Sequence, residues 1–153
     1  MTAAQALAEQ GRRCAFNVQY RTYTDTDTLS FYFAKASPGV IDYSDEVAPG
    51  VAVDYSASGQ LVSVDLNRAS RTTPCHLFDT AEPVGGKQPL GINWEYDATK
   101  DELSVVLTAT KALSQMLGTD DARINIGTCD SGLWQSLHIM QASKFVYLHN
   151  EQL

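Results

Sequence analysis

A carboxylate and an imidazole fall at matching places in two strand-like segments. Leu61, Ser63 and Asp65 alternate with Val62, Val64 and Leu66, so alternation puts the first three on one face and the second three on the other. Seventy-three residues later, Trp134, Ser136 and His138 repeat the arrangement. An Asp beside a His fixes the ring tautomer and favours its charged form, which suits general acid–base catalysis. If the two strands face each other, His138 moves a proton and Asp65 orients it. Ser63 and Ser136 then donate hydrogen bonds to a substrate, and Trp134 supplies an apolar wall. Tyr32 shares the polar face of its strand with Ser30 and joins them as a binding residue. The same alternation also describes the solvated side of a one-sided antiparallel sheet.

Other chemistries find less support in the spacing. Asp25 and Asp27, or Asp97 and Asp101, are hard-cation donors, but a calcium loop needs more oxygens at fixed spacing with a terminal Glu. Asp in a hairpin turn more often bonds nearby backbone. Cys75 and His76 are adjacent, while His138 and His149 are remote, so no zinc spacing is present. Gly85-Gly86-Lys87 lacks the remainder of a phosphate-binding loop. Neither a metal nor a cofactor is expected.

The net charge of −7 and the scatter of eleven basic residues argue against nucleic acid and anionic membranes as partners. Arg12-Arg13 reads as a solvated helix end. No apolar run reaches the roughly 18 residues that cross a bilayer, and the first residues lack the pattern of a secretion signal. Cys14, Cys75 and Cys129 are odd in number and far apart, which reads as reduced thiols and a cytoplasmic location.

The elements that position these residues are mostly strands. A short helix is expected over Thr2–Gln10, closed by Gly11. Period-two alternation then gives strands near Phe16–Tyr20, Leu29–Phe33, Val51–Tyr55 and Leu61–Leu66. The acidic run Asp42–Glu46 reads as loop. Residues 72–89, rich in Pro and Gly, read as a linker. Strands follow near Leu90–Tyr96, Leu103–Leu107, Arg123–Ile126 and Trp134–Met140, with a short helix over Thr110–Leu117 and a last strand over Lys144–His149. Val18, Leu29, Phe31, Val64, Ile92, Leu103, Val105 and Leu137 are the expected core.

The two sets of strands align. Asp27-Thr28-Leu29-Ser30 matches Asp101-Glu102-Leu103-Ser104 at a shift of 74, and Ser58-Gly59 matches Ser131-Gly132 at a shift of 73. The second register persists to Ala69-Ser70 and Ala142-Ser143. These residues resemble a family of short, mostly bacterial proteins known only as a domain of unknown function. Its pattern is a Y-D-x-x-x-D-x-L hairpin followed by E-V-x-P-G-V-x-x-D-Y-x-x-x-G-x-L-V. Glu46 to Val51, Asp54-Tyr55, Gly59, Leu61-Val62, Asp65 and Ala69-Ser70 carry the resemblance in the first half. In the second half Tyr96-Asp97, Asp101 and Leu103 fit the hairpin, while Pro-Gly and Asp-Tyr are lost. The resemblance implies a fold and no particular activity.

The expectation is therefore one domain over residues 1–153, mainly β with short helices (α+β). It comprises two tandem antiparallel repeats, 15–71 and 90–144, each of four strands, related by a pseudo-twofold around a barrel-like or sandwich core. The expected function is small-molecule binding in a cavity between the repeats. Cofactor-independent acid–base catalysis of isomerase, cyclase or lyase type is the chemistry such a site would run. The alternative is a non-enzymatic interaction module that pairs through a sheet edge or face. Oligomeric state is left open by the sequence.

Overall fold

The computed structural model describes residues 16–33, 39–76, 88–107 and 115–147. Alternating sequences give five strands in the first half: β1 (Gln19–Tyr23), β2 (Thr28–Tyr32), β3 (Tyr43–Ala48), β4 (Val51–Tyr55) and β5 (Leu61–Asn67). They form one antiparallel sheet in the order β1-β2-β5-β4-β3, followed by the single-turn helix α1 (Ala69–Thr72). A short parallel pair, β6 (Cys75–His76) and β7 (Gln88–Pro89), comes next. The second half repeats the plan with β8 (Ile92–Asp97), β9 (Glu102–Leu107), β10 (Gln115–Gly118), β11 (Ile124–Thr128) and β12 (Trp134–Met140), then α2 (Ala142–Phe145). Its order, β8-β9-β12-β11-β10, is that of the first sheet strand for strand.

The likeness extends to single residues. Asp27 and Asp101 both sit in the left-handed region, at φ 53° and 52°. Each closes its hairpin and accepts two bonds from the helix that follows the fifth strand. The backbone N–H and Oγ of Ser70 donate to Asp27 at 3.0 and 2.6 Å, and those of Ser143 donate to Asp101 at 2.9 and 2.6 Å. These turn carboxylates staple the hairpin to the helix. Arg68 and Gln141, which precede the helices, are also left-handed at φ 56° and 55°.

The sheets pack by their apolar faces into a sandwich, each remaining an open five-stranded sheet and not closing into a barrel. Leu29, Phe31, Val53 and Val64 of the first sheet meet Leu103, Val105, Leu137 and Ile139 of the second in one buried cluster. Phe31 stacks on Trp134 at 5.5 Å between ring centroids. Burial of each such side chain stabilises the fold by about 1.5–3 kcal/mol. Backbone bonds also join the halves, with Asp120 N–H donating to Val47 C=O at 2.7 Å and Tyr147 N–H to Leu61 C=O at 2.9 Å. Of the expected core, Val18, Leu29, Phe31, Val64, Leu103, Val105 and Leu137 are buried, whereas Ile92 is half-buried against the cluster.

Each sheet has one strand more than alternation predicts. The acidic run expected as loop is β3, an edge strand whose Tyr43 to Glu46 are all exposed. A strand wet on both faces carries no apolar rhythm. Gln115 to Leu117, assigned to a helix on propensity, pair with β11 as β10, because cross-strand partners override weak local preference. Ala142–Phe145 is helical where a strand was expected from Lys144, and Val146 makes an isolated bridge to Leu61; the end of that expected strand, past residue 147, lies outside the described residues. The expected Thr2–Gln10 helix lies outside the described residues, as does Cys14; Cys75 and Cys129 are buried. Among the described residues no helix is long and apolar enough to cross a membrane.

Candidate functional site

Cross-strand register gathers polar groups on the outer face of the first sheet. Ser30 of β2 lies opposite Asp65 of β5, and Asp54 of β4 lies between Ser63 of β5 and Ser44 of β3. Ser30 Oγ donates to Asp65 Oδ1 at 2.6 Å, Ser63 Oγ to Asp54 Oδ2 at 2.5 Å, and Ser44 Oγ to Asp54 Oδ1. Ser30 and Ser63 are buried. Burial pushes the Asp65 carboxyl up, the Ser30 bond draws it back, and the nearby Asp54 carboxylate pushes it further, to about 6. Tyr32 shares this face and meets Tyr23, hydroxyl to hydroxyl, at 2.7 Å. Burial and that bond raise its phenol to about 12.

The outer face of the second sheet is built around His138. Ser136, two residues away on β12, touches Nε2 at 2.8 Å, and Ser104 of β9 touches Nδ1 at 3.2 Å. Ser104 Oγ also donates to Glu102 Oε2 at 3.2 Å, and that oxygen lies 3.9 Å from Nδ1. Burial pushes the imidazole below its ordinary value, with the Glu102 charge pulling partly the other way.

The structure joins His138 to Ser136 and separates His138 from Asp65. Asp65 alternates with Val64 and Leu66, and His138 with Leu137 and Ile139, and those apolar neighbours meet in the shared core. The carboxyl and the imidazole therefore point away from each other, on opposite outer faces of the sandwich. Ser63 is taken up by Asp54, away from Ser136.

Trp134 leaves the expected face altogether. Between Gly127↔Ser136 and Thr128↔Trp134 the strand β12 takes two steps to one of β11, leaving Gln135 as the extra residue of a β-bulge. One extra residue inverts the alternation, so Trp134 turns into the core against Phe31. Its Nε1 is buried there without a hydrogen-bond partner among the described residues. The same device operates between Asp54↔Ser63 and Tyr55↔Leu61, and sends Leu61 into the core.

A cleft of about 320 Å³ opens between the halves, lined by Tyr43, Asp45, Val47 and Tyr55 of the first and Asp120 to Arg123 of the second. Tyr43 and Tyr55 lie opposite on β3 and β4 and stack at 4.9 Å. Tyr43 is 47% exposed, so its ring is open to the cleft, while Tyr55 is buried. Tyr55 Oη donates to Asp121 Oδ2 at 2.9 Å, which crosses from one half to the other. Arg123 grips both Asp121 oxygens, each at 3.0 Å, and its guanidinium lies 3.7 Å over the Phe145 ring. Burial raises the Asp121 carboxyl, but the Arg123 bonds outweigh it and hold the group below the usual carboxylate range. Burial and the Asp121 bond push the Tyr55 phenol up. Among the described residues the side chains of Asp45 and Asp120 have no hydrogen-bond or ion-pair partner.

Asp54, Ser104, Glu102 and the cleft residues escape a reading by period alone. Asp54-Tyr55 was signalled by the family pattern, whereas Tyr43 and Asp120 to Arg123 acquire meaning only once β3 and the β10–β11 turn meet in space. Among the described residues no group of three or more His, Cys, Asp or Glu side chains is placed to hold a metal. No curated protein and no solved structure matches the chain. Residues 21–70, which carry the Ser30, Asp54 and Asp65 network together with Tyr43 and Tyr55, match the family described as protein of unknown function (DUF2283).

Proposed function

We propose that this chain is a small-molecule-binding protein built from two diverged copies of one five-stranded unit, whose ligand is a small organic cation held in the cleft between them. The duplication is supported by the common strand order, the paired turn carboxylates Asp27 and Asp101, and the paired bulges. The binding reading rests on one observation: the cleft offers an open tyrosine face beside two carboxylates, Asp45 and Asp120, while its Arg123 is already committed to Asp121. A cation over an aromatic ring gains about 0.5–2 kcal/mol, more with a carboxylate alongside. The outer-face histidine favours binding over proton transfer as the role of this fold, because serines occupy both of its ring nitrogens.

Calorimetric titration with choline, and with benzoate as the anionic control, tests the proposal. Choline is expected to bind, with Asp120→Asn and Tyr43→Ala each weakening it about 5- to 10-fold. Benzoate binding as tightly as choline, or unchanged choline affinity in Asp120→Asn, would overturn it.

A further inference from the structure

The open edge of β10 carries a second kind of recognition. Among the described residues β10 pairs with β11 alone, leaving its other edge without a neighbour. All four of its residues are exposed, and Met116 and Leu117, at 47% and 40%, stand on opposite faces of the strand. The other three edge strands of the two five-stranded sheets carry the charges that discourage edge-to-edge pairing. β1 has Arg21, β8 has Glu95 and Asp97, and β3 has Asp45 and Glu46. β3 is also bulged, and its Val47 carbonyl is capped by Asp120 N–H. β10, Gln115–Gly118, has no charge, no proline and no bulge among its own four residues.

We infer that β10 is a self-association edge whose partner is β10 of a second copy of this chain. The occupant follows from charge. In a twofold antiparallel pairing each strand meets itself, so a charged edge would place like charges near one another, and among the described edges of the two five-stranded sheets β10 escapes this. A twofold at residue 116 sets Met116 opposite Met116 of the second copy on one face, and Leu117 opposite Gln115 of the second copy on the other. Both exposed apolar side chains are then covered at once, and the two sheets join into one. A four-residue edge buries far less than the roughly 1,200 Å² of a standard interface, so the association is weak and is sought at high concentration.

Sedimentation equilibrium of the full chain from about 10 μM to about 1 mM is the test. The weight-average mass of the wild type rises toward that of two chains. Leu117→Lys, and independently Gln115→Lys, raise the dimer dissociation constant at least about 10-fold by opposing like charges across the twofold. Both positions are exposed, and circular dichroism verifies the fold. Arg21→Glu, on the β1 edge, leaves the association unchanged. A wild type that stays monomeric at about 1 mM overturns the inference. So does association that survives both lysine variants, or that is abolished by Arg21→Glu.

Discussion

On the outer face of the first sheet a serine of β2 donates to Asp65; at the same place on the second sheet a serine of β9 meets His138. The scaffold position is common and the titrating group is opposite in kind. Burial is the leading cause of both shifts, yet it raises the acid and lowers the base. Both faces thus favour the neutral form of whatever group stands there. The neighbours differ in sign as well. Asp54 adds a like charge beside Asp65 and deepens the shift, whereas Glu102 adds an opposite charge beside His138 and reduces it. One fold accordingly tunes two chemistries through side chains two strands wide, without altering its backbone plan.

The strongest way to break this comparison is to show that a core residue belongs to one of the faces. Trp134→Ala removes a buried indole stacked on Phe31 and should cost about 3–5 kcal/mol in urea unfolding. If the bulge at Gln135 has turned Trp134 away from His138, the imidazole titration followed by NMR stays where it was. A moved His138 midpoint with the fold retained would return Trp134 to the histidine face.

A second comparison sets the turn carboxylates side by side. Asp101→Ala should cost about 2–3 kcal/mol and Asp27→Ala about 1–2, since each loses charge-assisted bonds and forces alanine into the left-handed region. Asp101 also accepts Tyr96 Oη at 2.7 Å and is the less exposed site, which sets the order. Equal costs in chemical denaturation would mean that the tyrosine bond adds nothing.

Asp65→Asn isolates the acidic face. The carboxyl binds its proton more tightly folded, at about 6, than at its ordinary 3.8. Its stabilising contribution is therefore fully present below about pH 3.8 and is lost as pH rises through about 6. After allowance for solvent screening, the wild type should lose about 1 kcal/mol relative to Asp65→Asn between pH 4 and pH 7. Parallel stability curves for the two proteins across that range would contradict the assignment.

Much of this fold was legible in the sequence because it is written in period two. Val64 and Leu66, or Leu137 and Ile139, announce an apolar face directly, and the two registers near 73 and 74 align the halves. The illegible parts lack that period or break it. β3 is wet on both faces, β10 is four residues long with helix-forming letters, and the bulge at Gln135 inverts the alternation that assigned Trp134 to a site. The pairing of Asp65 with His138 failed for a physical reason: equivalent polar faces of a core-to-core sandwich must point apart. The Tyr43, Tyr55 and Arg123 constellation is an accident of tertiary contact between segments more than sixty residues apart, which no local pattern encodes.

The smallest effect falls on His138 and discriminates most finely between the two faces. Its imidazole binds a proton less readily folded than unfolded, so its contribution to stability is present above its ordinary value of 6.5 and is lost as pH falls through the lowered folded value. The Glu102 charge works against that shift. Glu102→Gln should therefore lower the His138 midpoint further, by about a few tenths of a unit, as expected for a partly exposed pair 3.9 Å apart. Ser104→Ala removes the hydroxyl that bridges Glu102 and Nδ1 and serves as the companion variant, distinguishing charge from relay. Imidazole Cε1–H shifts recorded from pH 4.5 to 8 supply the measurement. A wild-type midpoint above 6.5, or one that rises when Glu102 is neutralised, would mean that burial does not lead on this face, and the contrast with Asp65 would then rest on charge alone.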